Sequence, residues 1–400
     1  MTMLLEADVP EKTRDASRAS AFAARARPAQ LPVYVEVSAM MGRHVTGIGR
    51  WVALLIEALL RIGPVRLLRV IQGDFARSMR MSNALRCGHE IALPQGCMPE
   101  ADEDLLAWAR RLFRRPPRPL NEQLMKRCGV VYPFLRPAER RFRREFCVLH
   151  DYTPLLLPMF HVPETRDQFG KLFTQCAPLC DKLITDSEST RSDARWLTPF
   201  PQERVLVGTP GPSMCVRRHA SAQAVDRQKH LILIVSTLEP RKNGALLLKW
   251  FLKTRALPPE AVLWWVGPEG WLFRANARSV GCGPRSKRIR FLGRVSDRRL
   301  CELYRQAWVT IYPSLYEGFG FPVIDSLRHG TPVLCGYNSS LAEFAGPGVY
   351  YFDATDPASL DDAYQEFLVS HRGTIVRSDV EQHWNWDRLA RTIASLCTEE

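Results

Sequence analysis

Two carboxylates, two cations and two glycine-bearing loops are the groups in this chain whose types and spacing suit chemistry. The carboxylates lie in YPSLYEGFGFPVIDSLRHGT, Tyr312 to Thr331, where Glu317 and Asp325 stand eight residues apart. Glu317 precedes a turn through Gly318, Phe319 and Gly320. Asp325 falls about one turn inside a helical pattern that begins near Pro322 and ends at Gly330. Proline suits a first helical position, where its missing N–H would be unpaired anyway, and glycine suits the left-handed residue after a helix. Open N–H groups at such a helix start, with the dipole behind them, form a cradle for an anion or a hydroxyl. Taken alone, the two acids are equally well explained as partners of the helix dipole.

The cations are Arg241 and Lys242 in STLEPRKNG, between an apolar run and a helical pattern. Arginine forks two phosphate oxygens and lysine acts as a point charge, so the pair suits a diphosphate; an ordinary exposed basic pair has the same spelling. Further upstream, Gly47 and Gly49 in HVTGIGRW lead into a helix with apolar residues at Trp51, Leu54, Leu55, Ala58 and Leu59. A strand, glycine loop and helix in that order form a phosphate-binding unit in many nucleotide folds, although two glycines carry little specificity. His150 closes the strand Phe146–Leu149, which aims it at the same sheet edge.

These residues need elements to hold them. Val33–Val37 and Val65–Ile71 predict strands around the first glycine loop, and Phe146–Leu149, Lys182–Thr185 and Val205–Val207 predict three more. Residues 72–145 show no clear element, because Pro116, Pro117, Pro119, Pro133 and Pro137 interrupt them. The pattern restarts at His230–Val235 and continues through Ala261–Val266, Ile289–Leu292 and Trp308–Tyr312, each followed by a helical stretch. Strands alternating with helices predict parallel doubly wound sheets. Two α/β domains in tandem are expected: 31–212 and 230–375, joined by a polar linker 213–229. A disordered tail covers 1–30, and a closing segment 376–400 supplies a helix that packs back across the linker.

Composition narrows the classes. The 400 residues carry a formal charge of +13, with 46% hydrophobic and 24% charged residues. Twelve Lys and Arg face three acids between Leu105 and Glu145, with Trp108, Leu112, Phe113 and Phe142 among them. Such a stretch is either a site for polyanions, an anionic membrane surface included, or a solvated arginine-rich face. No nucleic-acid-binding motif accompanies it, so nucleic acid is not expected as a partner. Asp102, Glu103 and Asp104 have the spelling of a metal site, but helix-starting acids explain them more simply. The 11 cysteines lack paired spacing, which fits a reducing cytosol.

STLEPRKNGALLL, FLGRVSDRRLCELYRQAWVTIYPSLYEGFGFPVIDSLRHGTPVL and SLAEFAGPGVYYFDATDPASL resemble the C-terminal half of retaining glycosyltransferase family 4. TGIGRW, VLHD, ITDSESTRSDA and HWNWDRLA are similar to its glycine loop, histidine, following strand and helix, and closing aromatic helix. The resemblance implies a GT-B fold, two Rossmann-like domains facing a cleft with the last helix crossing back. It implies that Arg241, Lys242, Gly47 and Gly49 meet a donor diphosphate, that His150 and Glu317 act at the transferred sugar, and that Phe319, Gly320, Phe321 and Pro322 meet its hydroxyls. Asp325 takes the ribose, where the family has the longer glutamate. No metal or other cofactor is implied. The expected activity moves a hexose, mannose favoured, from a nucleoside-diphosphate sugar to a lipid-linked glycan in bacterial surface polysaccharide synthesis. The enzyme is expected in the cytoplasm, held peripherally at the inner membrane through residues 105–145. Alternatives are a non-catalytic homologue that binds membrane or partner, and a sugar-nucleotide epimerase.

Overall fold

A computed structural model describes residues 30–41, 47–69, 88–100, 103–134, 136–137, 139–171, 177–213, 227–270, 285–371 and 380–398. The tail up to residue 29 and the linker residues 214–226 lie outside it, as do Asp102 and the loop 42–46.

The first sheet is built from β1 (Val33–Glu36), β2 (Val65–Leu68), β3 (His89–Leu93), β4 (Arg118–Pro119), β5 (Gly129–Tyr132), β6 (Arg144–Leu149), β7 (Lys182–Thr185) and β8 (Val205–Val207). Its order is β4-β3-β2-β1-β5-β6-β7-β8. Here the structure corrects two expectations. β3 and β4 are antiparallel to their neighbours, so the sheet is mixed. The proline-rich stretch also supplies β5, a central strand whose four residues are all buried. The prolines flank this strand without entering it.

The second sheet contains β9 (Leu231–Val235), β10 (Val262–Val266), β11 (Ile289–Gly293), β12 (Val309–Tyr312), β13 (Val333–Gly336) and β14 (Val349–Phe352). Its order is β11-β10-β9-β12-β13-β14, and every pairing is parallel. With helices on both faces, β9 and β12 have almost no exposed side chain, which is why they spell unbroken apolar runs.

Each sheet reverses its strand order once, between β1 and β5 in the first and between β9 and β12 in the second. Open α/β sheets bind ligands outside the carboxyl ends of the strands at such points. In the second sheet the two loops that leave this point are the Arg241–Lys242 loop and the Glu317 loop. The helix Trp386–Thr398 packs Trp386, Leu389, Ala390 and Ile393 into the core of the first sheet, against the helix Gly47–Ile62. Trp386 Nε1 donates to the Pro212 carbonyl at 2.8 Å, tying that helix to the end of the first half.

Candidate active site

The two loops of the second sheet are fastened to each other before any side chain meets a ligand. Leu315 N–H donates to the Arg241 carbonyl at 3.0 Å. Asn243 sits left-handed at φ 54° and donates its side-chain amide to the Ala354 carbonyl at 2.6 Å, which ends the short turn Pro240–Lys242 and starts the helix Gly244–Lys253.

Glu317 is the hub of this arrangement. Its carboxylate accepts from Lys242 Nζ at 2.5 Å, Arg241 Nη1 at 3.1 Å, Tyr312 Oη at 2.7 Å and Ser314 Oγ at 2.5 Å. Burial alone would raise the acid's pKa. Lys242 and Arg241 more than reverse that, and the carboxyl falls to about 2. Arg241 is buried as well, yet Glu317, Asp151 and Glu239 push its affinity for a proton up. The site therefore holds a fixed carboxylate and two fixed cations, with Glu239 on the outer side of Arg241 at 3.1 Å.

The turn after Glu317 has no room for side chains at its glycines. A Cβ on Gly318 would lie 1.7 Å from the His150 carbonyl oxygen, and Gly320 is left-handed at φ 107° with Leu341 beside it. Phe319 turns its ring into the core against Phe321 and Phe344, and its carbonyl accepts from Ser340 Oγ at 2.8 Å. Only the backbone of this turn is offered to a ligand. The helix Phe321–Arg328 begins with Pro322 in its first turn, and the N–H groups of Gly320 and Phe321 donate to no acceptor among the described residues. They point from a helix N-terminus, where a hydroxyl or an anion is favoured.

Asp325 lies inside that helix, 3% exposed. It accepts from the Ser213 N–H at 2.8 Å and from the Ser213 hydroxyl. Burial pushes its carboxyl up to about 6, against the pull of Ser213 and Arg50. Arg50 in turn donates to the Ser213 carbonyl at 2.9 Å and pairs with Asp297 at 2.7 Å, so the acid belongs to a buried cluster that bridges the two halves. Sequence reasoning gave Ser213, Arg50 and Asp297 no role, although Arg50 stands in TGIGRW and Asp297 in FLGRVSDRRL.

On the opposite wall, His150 Nδ1 lies 2.6 Å from Asp186 Oδ2 and Nε2 lies 2.8 Å from the Pro133 carbonyl. A carbonyl can only accept, so Nε2 carries a proton. Asp186, which also accepts from Trp51 Nε1 at 2.9 Å, favours a second proton on Nδ1. Burial opposes that charge, and Asp186 overcomes it to raise the histidine's pKa. His150 is thus fixed in place, with both ring nitrogens engaged and its proton affinity raised by Asp186. Asp186 was legible only as an acid at the end of β7 before the helix-capping Ser187. Gly47 and Gly49 fall within the first turn of the helix Gly47–Ile62 rather than in a loop before it; a Cβ on Gly47 would meet nothing within 4 Å.

The walls touch. Glu343 from the second half caps the helix Glu188–Leu197 of the first, accepting from Ser189 N–H at 2.7 Å and Glu188 N–H at 3.2 Å. Tyr316 donates to Asp193 across the same gap.

The basic stretch is less free than its spelling suggests. Arg111 pairs with Glu103, Arg136 with Glu145, Arg140 with Asp181 and Arg141 with Glu122. Trp108, Leu112, Phe113 and Phe142 are core residues, at most 9% exposed. The apolar residues among the arginines thus face the core; what remains outside is charge, at Arg110, Arg114, Arg118, Lys126, Arg127 and Arg143. Asp104 caps the helix Leu105–Leu112, as the simpler explanation of that acidic run requires. Among the described residues, no helix is long and apolar enough to cross a membrane.

Residues 217–375 match the family described as Glycosyl transferases group 1. The O-antigen chain mannosyltransferase B of Escherichia coli is 29% identical over 250 residues, covering 58% of this chain and 65% of that protein. The serotype-specific mannosyltransferase WbdA of the same organism is 27% identical over 239 residues, 55% of this chain and 29% of its own. The chain thus spans less than two thirds of the length of these relatives. Among solved structures, sucrose-phosphate synthase from Thermosynechococcus elongatus aligns with a TM-score of 0.60 at 16% identity, over 92% of this chain and 98% of its own. WaaG, a glycosyltransferase involved in lipopolysaccharide biosynthesis, aligns at 0.57 and 16% identity, over 92% and 100%. With two sheets whose carboxyl edges share one cleft, the chain has the GT-B fold, and its second half is similar to the group 1 glycosyltransferases.

Proposed function

We propose that this protein is a retaining glycosyltransferase that moves mannose from a nucleoside-diphosphate sugar to a lipid-linked glycan in surface polysaccharide synthesis. The observation that carries the reading is the Arg241–Lys242–Glu317 cluster at the strand-order reversal of the second sheet. Two cations fixed beside a helix start suit a diphosphate, and the open N–H groups of Gly320 and Phe321 suit the sugar beyond it. As the sugar departs, negative charge grows on the diphosphate oxygen, where preorganised cations stabilise it most. No metal or other cofactor is invoked. Glu317 keeps the cations oriented and faces the sugar; His150, with both ring nitrogens engaged, lines the sugar site rather than relaying a proton. The mannosyltransferases among the relatives support the choice of sugar.

The lipid-linked acceptor rests on a different feature. Beyond His150, Leu155, Leu156, Met159 and Val162 are 49%, 36%, 65% and 41% exposed, an apolar lip on the first half of the cleft. A lipid tail suits that lip, while the exposed arginines of 105–145 suit anionic headgroups of the inner leaflet, where a cytoplasmic peripheral enzyme meets its acceptor.

The test is calorimetry with a panel of nucleoside-diphosphate sugars, followed by transfer assays and the anomeric configuration of the product by NMR. Binding of one donor, with Lys242→Ala weakening the bare nucleoside diphosphate by about 1.5–3 kcal/mol, is expected. Unchanged diphosphate affinity in that variant removes the assigned role, and binding without transfer to any acceptor favours a non-catalytic homologue.

A further inference from the structure

A cavity of about 470 Å³ opens at the carboxyl edge of β13 and β14, beside the cation loop, whose Arg241 carbonyl and Asn243 amide bond its lining residues Leu315 and Ala354. Tyr337 stands at its rim, 69% exposed, with its ring edge-on to Tyr351 at 5.1 Å. The Tyr351 hydroxyl reaches the Leu341 and Ala342 carbonyls at 3.3 Å, which fixes the ring that supports Tyr337. Beside it, at the end of β14, Asp353 Oδ1 accepts from the Thr355 N–H at 2.8 Å and the Thr355 hydroxyl at 2.7 Å. These bonds hold its carboxyl below the usual range and so keep it ionised.

The lining contains no Lys or Arg, which disfavours a phosphate, and its polar side disfavours a lipid tail. An exposed aromatic ring beside a carboxylate, an amide and hydroxyls matches a pyranose instead. The C–H face of such a sugar lies on a ring while its hydroxyls donate to the acid. The place also fits. Asn338 in the cavity donates to the Ser314 carbonyl at 3.0 Å, and Ser314 Oγ donates to Glu317. Ser339, the next residue, accepts from the Glu317 N–H at 2.9 Å. In strand order, β12 carries the Glu317 loop, and β13 and β14 follow on the side opposite β9 and its diphosphate cations. The Asn338–Ser314–Glu317 contacts thus tie the cavity to the proposed transfer point.

We infer that the Tyr337–Asp353 cavity is a saccharide subsite that holds a unit of the acceptor glycan. The inference rests on the proposed glycan transfer, so its test reads binding without turnover. Full-length protein is titrated with a ladder of mannose oligosaccharides, observed by saturation-transfer NMR, beside Tyr337→Ala and Asp353→Asn. Tyr337 is mostly exposed, so its loss leaves the fold alone. The wild type should bind the longer oligosaccharides, and Tyr337→Ala should bind them about three- to tenfold more weakly, the worth of one stacked ring. Nucleoside diphosphate affinity should be unchanged in both variants. Equal oligosaccharide binding by wild type and both variants, or none by the wild type, overturns the subsite even if transfer is observed. Variant-sensitive oligosaccharide binding by a protein that ignores every nucleotide sugar keeps the subsite and discards the transfer reading.

Discussion

Replacing Glu317 with glutamine tests the core of the site with almost no change of shape. The amide can still accept from Tyr312 and Ser314, but Lys242 and Arg241, 12% and 13% exposed, lose their counter-charge. The magnitude follows from the acid's proton affinity. Its pKa falls from 4.5 to about 2 on folding. At about 1.4 kcal/mol per tenfold, that is roughly 3 kcal/mol of stability, near the 3–5 kcal/mol typical of breaking a buried pair. Because the folded pKa is depressed, this contribution is full above about pH 4.5 and is lost as the pH falls toward 2. Urea unfolding should show Glu317→Gln about 3 kcal/mol less stable than wild type at pH 7, with the gap narrowing at pH 4 and below. Equal stability at pH 7, or a gap that stays constant down to pH 3, would refute the cluster. Removing the negative charge also leaves both cations to the ligand, so nucleoside diphosphate affinity should hold or rise while sugar transfer falls.

Asp325→Asn separates stability from binding. The native acid is raised from 3.8 to about 6, so the folded state loses stability as the pH rises through that window; the asparagine variant should be as stable as wild type or more so at pH 7. If the acid also holds the ribose, calorimetry should show weaker nucleoside diphosphate binding in Asp325→Asn and preserved binding in Asp325→Glu; equal binding by both variants limits Asp325 to the bridge with Ser213. Charge reversal at Arg110, Arg111, Arg114 and Arg115 should abolish co-sedimentation with anionic liposomes at low salt without changing donor affinity. Pelleting of that variant would end the electrostatic membrane reading.

The inner strands of the second sheet were legible because burial on both faces favours apolar runs between helices, whereas β14 was not read as a strand. LILIV, VLWWV and VTIY could hardly be anything but inner strands. The same logic brought Arg241, Lys242 and Glu317 together, since parallel topology sends every strand-to-helix junction to one edge. It failed where structure is made by long-range contact. β5 hides among prolines, and its pairing with β1 and β6 is invisible locally. The full pairing of His150 depends on Asp186 and a carbonyl from another loop, and that of Asp325 on Ser213, 112 residues away in sequence. The basic stretch misled for a related reason. Composition cannot tell an apolar residue that faces lipid from one that faces the core.

The absence of a side chain at Gly318 is what lets the two halves touch there. There the second half meets the His150 carbonyl of the first backbone to backbone, so closely that a Cβ would lie 1.7 Å from its oxygen. Side chains yield by changing rotamer; peptide units do not. Main chain meets main chain at this point, so a side chain added at position 318 finds no neighbour that can turn aside for it. Any larger residue at position 318 acts as a doorstop, holding the two walls apart by its own thickness.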